Sequence, residues 1–510
     1  MTYFLGLDIG TSGARALLVD EQGTKIASDT QEYPLSTPRP LWAEQDPALW
    51  WAGCVAAIQA VLRRASISPS AIAGIGLSGQ MHGSVFLDKH NAVLRAALLW
   101  CDQRTQAECD WITNQVGREN LAPLISNPVL AGFTAPKIVW LRRHEPETYA
   151  QVAKVLLPKD YIRFLLTCTF ATEVSDASGT ALFDVAQRKW SADMLAATDI
   201  PAAWMPDCTE STEITSYVSA SAAAQTGLAA GTPVAGGGGD QAAGAVGCGI
   251  VEMGAVSSTV GTSGVVSAFA QSPAVDSCLR LHTFCHAVPH AWCVMGVTLS
   301  AGGSLRWLRD TFYQPEGVVA RTTGTDPYDL MAQGAARIVP GSEGLLFLPY
   351  LTGERTPYPD ANARGVFFGM TLRHTRAHFS RAVLEGVAYA LDDTFQILSE
   401  LGIPVSQVRA SGGGAKSAVW RQIQADVTGY PHTSLAVDEG PALGAAILAM
   451  VGMGAYPTVA NACRSIVQTV DTSMPQAETH RAYQKFLPIY RALYPALKDQ
   501  FAAVSQAVSS

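Results

Sequence analysis

Charged residues are scarce in this chain, and basic residues are scarcer than acidic ones. Only 15% of the residues are charged, with 35 lysines and arginines against 43 aspartates and glutamates, which gives a net charge of −8 at pH 7. Proteins that bind nucleic acids or anionic membranes carry basic surfaces, so this composition argues against both classes. Any affinity for phosphate must therefore come from backbone donors, a metal ion or a few local cations.

The sequence also lacks the signals of export and of disulfide chemistry. A strand is predicted from Tyr3 onward, without the basic and apolar regions of a signal peptide. The apolar stretch 442–455 is interrupted by glycines and is too short to span a bilayer. None of the ten cysteines forms a C-x-x-C pair, and several lie in apolar runs, as reduced core cysteines do. We therefore expect a cytoplasmic protein with no membrane or nucleic-acid partner.

What the chain does contain is a short motif that occurs twice. Its two copies lie about half a chain apart and are Asp8-Ile9-Gly10-Thr11-Ser12-Gly13 and Thr259-Val260-Gly261-Thr262-Ser263-Gly264. Each copy lies between two apolar runs, which predicts a hairpin. Glycines allow a ligand to approach closely, so the N–H and hydroxyl groups of such a turn can hold phosphate oxygens. A single copy fits an ordinary glycine-rich turn equally well, but the repetition favours a duplicated phosphate site.

Predicted strands and helices alternate along both halves of the chain. Strands are predicted over 3–8, 15–20, 25–29, 72–77 and 408–410, and helices from 47 onward and over 241–248, 299–309, 381–400, 420–427 and from 476 onward. This alternation predicts an α/β fold, and 510 residues exceed what one core usually supports. We predict an N-terminal domain over 1–246, a C-terminal domain over 247–455, and a helical segment over 456–510 that packs back onto the body.

One carboxylate follows a run of four glycines. Residues 236–239 are all glycine, and Asp240 comes directly after them at the start of a predicted helix. The glycines leave space for a ligand against the backbone, and a carboxylate at that place can take a proton from a substrate hydroxyl as a general base. The alternative is an aspartate that only caps the helix. The motif by itself favours neither interpretation.

Asp8 is the chemically distinct position of the duplicated motif, because its counterpart is Thr259. A carboxylate beside a phosphate repels it unless a cation lies between the two. Mg²⁺ held by Asp8, directly or through water, would supply that cation. The alternative is an aspartate that satisfies the backbone of its own turn.

A third glycine-rich turn lies between a predicted strand and a predicted helix. Its sequence is Ser411-Gly412-Gly413-Gly414-Ala415-Lys416. A glycine turn at the end of a sheet strand is a usual position for a bound nucleotide. Together with the two hairpins and with the glycines of residues 440–444, it predicts an adenosine site.

Together these motifs resemble the FGGY family of carbohydrate kinases over nearly the whole chain, and within it the branch that acts on xylulose. The matching segments, in order, are GLDIGTSG (6–13), WAEQDP (42–47), SGQMHG (78–83), LPKDY (157–161), SDASGT (175–180), FCHA (284–287) and LPYLTGERTP (348–357). Glycerol kinases read Gln-Arg-Glu where this chain reads Gln80-Met81-His82. The resemblance implies two actin-like domains with a central cleft, sugar bound mainly to the first and MgATP mainly to the second.

The resemblance also implies an activity, the transfer of phosphate from ATP to the terminal hydroxyl of a ketose. D-xylulose is the first candidate for that ketose. Asp240 matches the catalytic base of the family, and Asp8 matches the acid that faces metal and phosphate. The implied sugar contacts are Gln80, Met81, His82, Trp100, Asp102, Asp240 and Gln241, the last where this branch usually carries asparagine. The implied nucleotide contacts are Gly10, Thr11, Ser12, Gly13, Gly261, Thr262, Ser263, Gly412, Gly413, Gly414, Ala415 and Lys416.

Other functions are compatible with the same motifs. The acceptor could instead be another ketose, gluconate or glycerol, and Gln241 is typical of the glycerol branch. Outside the kinases, a nucleotide-driven actin-like or chaperone-like protein and a phosphohydrolase share this kind of fold. The chaperone needs a peptide-binding domain, and we expect no third domain after Ser473 to supply one. For a phosphohydrolase, water would not need the space beside four glycines. We expect the domains to close on sugar and nucleotide, and we regard a homodimer as a candidate assembly.

Overall fold

The computed structural model describes residues 1–436 and 439–509, and they divide into two compact units. The first unit consists of Met1–Glu252, Ala270–Cys293 and Glu439–Gln468, and the second of Met253–Phe269, Val294–Asp438 and Thr469–Ser510. Each unit is thus assembled from segments that are distant in sequence. The linear domain boundaries given above stay a prediction.

Twenty-four strands are described, most of them short. In the first half of the chain they are β1 (Tyr3–Ile9), β2 (Gly13–Asp20), β3 (Lys25–Glu32), β4 (Glu44–Gln45), β5 (Ile72–Gly79), β6 (Val85–Leu87), β7 (Ala97–Leu98), β8 (Lys154–Leu156), β9 (Ala171–Glu173), β10 (Phe183–Asp184), β11 (Lys189–Trp190), β12 (Asp207–Thr209), β13 (Ile214–Tyr217), β14 (Pro233–Ala235) and β15 (Gly238–Gly239). In the second half they are β16 (Gly254–Val260), β17 (Gly264–Ala270), β18 (His282–Cys285), β19 (Trp292–Thr298), β20 (Leu346–Leu348), β21 (Val366–Phe368), β22 (Val405–Ser411), β23 (His432–Leu435) and β24 (Thr469–Ser473).

Nineteen α-helices are described between and after these strands. Ten precede β16, namely α1 (Pro47–Ala65), α2 (Gln106–Val116), α3 (Arg118–Ile125), α4 (Thr134–His144), α5 (Pro146–Tyr149), α6 (Pro158–Thr167), α7 (Val174–Ala177), α8 (Ala192–Thr198), α9 (Ala220–Thr226) and α10 (Asp240–Gly247). The others are α11 (Gly302–Phe312), α12 (Gln314–Thr323), α13 (Pro327–Ala336), α14 (Arg376–Glu400), α15 (Gly413–Lys416), α16 (Ala418–Thr428), α17 (Gly440–Gly452), α18 (Val459–Ile466) and α19 (Ala477–Ser509).

The same strand arrangement lies at the centre of both units. In the first, the order is β13-β14-β5-β1-β2-β3, with β15 also paired to β5. In the second, the strands run in the order β19-β17-β16-β22-β23-β24. β1 pairs antiparallel with β2 and parallel with β5, and β16 pairs antiparallel with β17 and parallel with β22. The predicted α/β class and both predicted hairpins are confirmed.

Strand β1 is buried on both faces of its sheet. Leu5, Leu7 and Ile9 belong to a core that includes the buried face of α1, whereas Phe4 belongs to a second core with α17. Alternate side chains of a strand point to opposite faces, so a strand covered on both faces is apolar at nearly all of its positions, and Asp8 is the exception in β1. This burial fixes the strand that ends beside the first hairpin turn.

Helix α17 lies so close to the first sheet that glycines are required at the contact. A Cβ added to Gly6 on β1 would lie 1.9 Å from the carbonyl oxygen of Ala442, and one added to Gly76 on β5 would lie 1.8 Å from that of Ala445. Real Cβ atoms do not approach backbone atoms so closely, so a side chain there would push the helix off the sheet. No helix among the described residues is long and apolar enough to cross a membrane.

Gly76→Ala should destabilise the first unit by about 1–3 kcal/mol or more, because its methyl group cannot be accommodated without moving α17. Gly244→Ala is the matched control: its Cβ would meet only Pro441 at 3.7 Å, inside α10. Alanine there should be neutral or stabilising by about 0.5–1 kcal/mol. Thermal unfolding followed by calorimetry measures both, and equal Tm values for the two variants would contradict this account of the packing.

Candidate active site

Both motifs form tight hairpin turns, but the strands close with a different register: Ile9 pairs with Ala14, whereas Val260 pairs with Gly264. The N–H of Gly10 donates to the carbonyl oxygen of Gly13 at 3.0 Å, and the N–H of Gly261 donates to that of Ser263 at 2.9 Å. The residue before each turn lies beside a serine of the parallel neighbour strand, Asp8 beside Ser78 on β5 and Thr259 beside Ser411 on β22. The hydroxyls of Thr259 and Ser411 are 2.7 Å apart and share a hydrogen bond.

Asp8 differs from Thr259 in that one of its polar atoms is left unsatisfied. Its Oδ1 atom is buried and has no hydrogen-bond partner among the described residues, so the N–H groups of its own turn do not satisfy it. Burial raises the pKa of Asp8 to about 6, although neighbouring Ser78 and Arg15 oppose the rise. A buried oxygen without a donor, beside a turn suited to phosphate, fits a role as a ligand of Mg²⁺.

Asp240 is the first residue of α10, but it is not the residue that caps it. The N-cap is Gly239, and no side chain caps this helix. The side-chain amide of Gln241 donates to Oδ1 of Asp240 at 3.4 Å, a long distance for a hydrogen bond. Burial raises the pKa of Asp240 to about 7, and the negative charge of Asp8 adds to the rise. The geometry therefore favours a reactive carboxylate over a helix cap.

The glycine run before Asp240 is held from beneath by buried polar groups. The guanidinium of Arg163 donates to the carbonyl oxygens of Ala235, at 2.9 Å, and Gly236. Ser175 accepts the N–H of Gly239 at 3.1 Å and donates in turn to the buried carboxylate of Glu173 at 2.9 Å. Arg163, Ser175 and Glu173 are all buried. These contacts fix the backbone from which Asp240 projects.

Close packing explains why this run must be glycine. Gly237 has a φ of +72°, and a Cβ there would lie 2.0 Å from the carbonyl oxygen of Leu77. A Cβ on Gly239 would lie 2.7 Å from Cγ of Met81. The glycines therefore bring the backbone before Asp240 against β5 and against the predicted sugar-contact residue Met81.

His82 lies beside Met81 and is held in one orientation. Its Nδ1 atom is 2.6 Å from the carbonyl oxygen of Gly179, which can only accept, so Nδ1 carries the proton in the neutral ring. Nε2 is then an acceptor. The ring stacks on Phe133, with centroids 4.6 Å apart and an interplanar angle of 19°. Sequence reasoning did not identify Phe133, because nothing near it in the chain indicates this contact.

Gln80, Thr11 and Trp100 are joined by hydrogen bonds in the first unit. The hydroxyl of Thr11 donates to Oε1 of Gln80 at 3.3 Å and accepts the indole N–H of Trp100 at 2.9 Å. The Gln80 amide donates to Gln45, which also accepts the indole N–H of Trp50. Because the hydroxyl of Thr11 already donates to Gln80, we expect the backbone N–H of Thr11, rather than its hydroxyl, to donate to a ligand.

Asp102 does not join this group. It is fully buried, and its Oδ2 atom accepts the backbone N–H of Ala43 at 2.7 Å. Both of its oxygens also accept from Arg104, at 2.9 and 3.0 Å. The surroundings of Asp102 therefore give no support to a direct sugar contact.

Two of the other predicted contacts, Ser12 and Gln241, are exposed.

In the second unit, the repeated hairpin and the third glycine turn meet at one cavity of about 510 Å³. It is lined by Gly261 and Thr262 of the hairpin and by Gly413, Gly414 and Lys416 of the turn. Ser263, Gly412 and Ala415 are not among the residues that line it. Sequence reasoning missed much of the rest of its wall, including Arg306, Asp326, Tyr328 and Trp420. Aromatic rings beside a glycine-rich phosphate turn suit a nucleotide.

Comparison with known proteins agrees with this geometry. Residues 3–247 match the N-terminal domain, and residues 256–453 the C-terminal domain, of the FGGY family of carbohydrate kinases. The chain is 40% identical to the xylulose kinase of Escherichia coli (strain K12) over 97% of its length and 99% of that protein. It is 37% identical to the xylulose kinase of Bacillus subtilis (strain 168), over 98% of each.

Solved structures show the same relationship. The crystal structure of xylulose kinase from Rhodospirillum rubrum superposes with a TM-score of 0.92 and 32% identity, covering 98% of this chain and all of that one. The two-domain actin-like fold expected from the resemblance is therefore confirmed. With both domains matched over nearly their whole length, the chain belongs to the FGGY family of carbohydrate kinases.

Proposed function

We propose that this kinase transfers the γ-phosphate of ATP to the terminal hydroxyl of D-xylulose and so forms D-xylulose 5-phosphate. The observation that carries the proposal is Asp240, a carboxylate of raised pKa with little internal hydrogen bonding, at the end of a rigidly held glycine run. The names of its relatives in Escherichia coli and Bacillus subtilis support D-xylulose as the acceptor. The actin-like, chaperone-like and phosphohydrolase alternatives lie outside a family of carbohydrate kinases.

Asp240 acts as the general base in this proposal. The sugar lies against the glycine run with its terminal hydroxyl directed at the carboxylate, which accepts the proton as the oxygen attacks phosphorus. Such a base typically contributes about 10²–10⁴-fold to the rate. The larger part of the catalysis comes from alignment of hydroxyl and phosphate and from neutralisation of charge.

The nucleotide occupies the cavity of the second unit. ATP is the phosphoryl donor of FGGY kinases. Gly261 and Thr262 of the hairpin, Gly413 and Gly414 of the third turn and the cationic Lys416 surround the space that a triphosphate would take. Mg²⁺, when bound at Asp8, would neutralise negative charge on phosphate oxygens.

Sugar recognition rests on His82 and Met81. With Nδ1 bound to Gly179, Nε2 of His82 accepts a hydrogen bond from a sugar hydroxyl. The thioether of Met81 offers an apolar contact for the carbon surface of a ketose. Domain closure, a cytoplasmic location and a homodimer stay predictions.

Asp240→Asn should lower kcat by at least about tenfold and leave sugar affinity within a few fold, because the amide keeps the shape but cannot take a proton. In the wild type, kcat/KM for the sugar should rise with pH through about 7, since the base acts only when deprotonated. Steady-state kinetics over a pH series measure both. Asp207→Asn, at an exposed position, is the control. Retention of more than about a tenth of kcat by Asp240→Asn would contradict the general-base role.

Asp8→Asn should raise the Mg²⁺ concentration needed for half-maximal rate and lower turnover, with little effect on sugar affinity. It should also lower the pKa of Asp240, because the charge of Asp8 is one cause of its elevation. Metal titrations of the rate test the first effect, and carboxyl NMR titration of Asp240 tests the second. If Asp8→Asn needs the same Mg²⁺ concentration as the wild type, Asp8 has a purely structural role.

The kcat/KM for D-xylulose should exceed that for glycerol at least ~100-fold, or about 2.7 kcal/mol in transition-state free energy. His82→Ala should remove most of this difference and leave the KM for ATP unchanged. A coupled assay of ADP release over pentuloses, hexuloses, gluconate and glycerol measures kcat/KM for each acceptor. Equal kcat/KM values of the wild type for glycerol and D-xylulose would assign the chain to the polyol branch. If His82→Ala lowers the Tm but keeps the preference for D-xylulose, His82 is a packing residue.

A further inference from the structure

His82 holds a backbone conformation that a histidine does not adopt without support. Its φ is +69°, in the left-handed region that costs a residue with a Cβ about 1 kcal/mol or more. Contacts elsewhere in the fold must therefore stabilise this conformation, and they also determine where the imidazole points. The residues that make these contacts control the proposed sugar contact indirectly.

The start of one helix provides three of these contacts. Phe133, the N-cap residue of α4, stacks on the imidazole ring of His82. Thr134, the first residue of α4, donates its hydroxyl to the carbonyl oxygen of His82 at 3.1 Å. One turn later, Nζ of Lys137 donates to the same carbonyl oxygen at 2.8 Å. Residues three and four apart lie on one face of a helix, which is why the hydroxyl and the ammonium reach the same atom.

Lys137 is wholly buried, which is unusual for a lysine. A second bond from its Nζ atom, to the carbonyl oxygen of Gly132 at 2.7 Å, ties the chain that enters α4 to the same ammonium. Burial lowers the pKa of Lys137 to about 7, while the carboxylate of Asp102 opposes the fall. A buried amine retained at such a cost, with both contacts directed at backbone carbonyls, indicates a specific structural task.

We propose that Lys137, together with Thr134, is a positioning residue for sugar recognition: it fixes the left-handed backbone of His82 and thereby the direction of the His82 ring. This inference rests on the proposed sugar contact of His82.

A double-mutant cycle between positions 137 and 82 tests the proposal. Lys137→Met keeps the length of the side chain and removes its donors. It should weaken D-xylulose binding about tenfold, because the carbonyl oxygen of His82 then keeps only the bond from Thr134 and the backbone that directs the ring is less firmly held. The KM for ATP should stay within about twofold. In a His82→Ala background the same change should alter sugar binding by less than about twofold, because its effect passes through the ring that is missing. Calorimetric sugar titrations and steady-state KM values measure the four proteins.

Each outcome of the cycle has a separate meaning. If His82→Ala weakens sugar binding but Lys137→Met has no effect, or the same effect in both backgrounds, the positioning role is wrong and the proposed function stands. If His82→Ala leaves sugar binding unchanged, the proposed contact itself fails, and the inference fails with it. Coupling between the two positions supports both.

Thr134→Val provides a second route if Lys137→Met does not fold. It removes one donor to the same carbonyl without a change of volume, and about a threefold loss of sugar affinity is expected, again absent with His82→Ala. Thr198→Val is the matched control, a buried threonine whose hydroxyl bonds only to carbonyls of its own helix at 2.7 and 3.3 Å. It should leave sugar affinity unchanged. Equal losses in Thr134→Val and Thr198→Val would overturn the proposal.

Discussion

The proposed site of the first unit depends on two buried carboxylates, Asp8 and Asp240. Burial raises the pKa of Asp8 to about 6, and burial together with the negative charge of Asp8 raises that of Asp240 to about 7. Two buried negative charges in one region are costly unless a proton or a cation compensates them. A site that accepts a proton from a hydroxyl and binds a metal beside phosphate supplies both. The unfavourable electrostatics of the empty protein are therefore the basis of the proposed chemistry.

The surrounding fold keeps these acids in place against that repulsion. Asp8 ends a strand with both faces buried, and Asp240 follows a backbone segment that Arg163 and Ser175 hold through hydrogen bonds. Helix α17 lies against the same sheet at the distance that only Gly6 and Gly76 permit. A relaxation that separated the two carboxylates would have to disrupt one of these buried contacts. Structural glycines and buried hydrogen bonds thus support the proposed function of the site.

The parts of this arrangement that sequence could predict are those with a local signal. The hairpins, the helix after Asp240 and the Asp46-Pro47 start of α1 were all predicted from a few adjacent residues, and the structure confirms them. Helix α11 begins at Gly302 rather than near residue 299, because the N–H groups of 301–303 bond to the second hairpin. Lys137, Phe133 and the aromatic wall of the nucleotide cavity were missed, since their partners lie far away in the chain. Asp102 was predicted to contact sugar, whereas its oxygens bond to Arg104 and Ala43.

The duplicated motif shows how one arrangement of strands can serve two chemical tasks. In the second unit, Thr259 and Ser411 form a neutral hydroxyl pair beside the hairpin, which leaves the turn free to accept phosphate without electrostatic penalty. In the first unit, Asp8 and Ser78 occupy the same places on the corresponding strands, and the acid has an oxygen without a donor. In the proposed function, this change from hydroxyl to carboxylate distinguishes a hairpin that binds phosphate from one that also requires a cation. The difference in charge between Asp8 and Thr259 then separates the proposed acid–base site of the first unit from the proposed nucleotide cavity of the second.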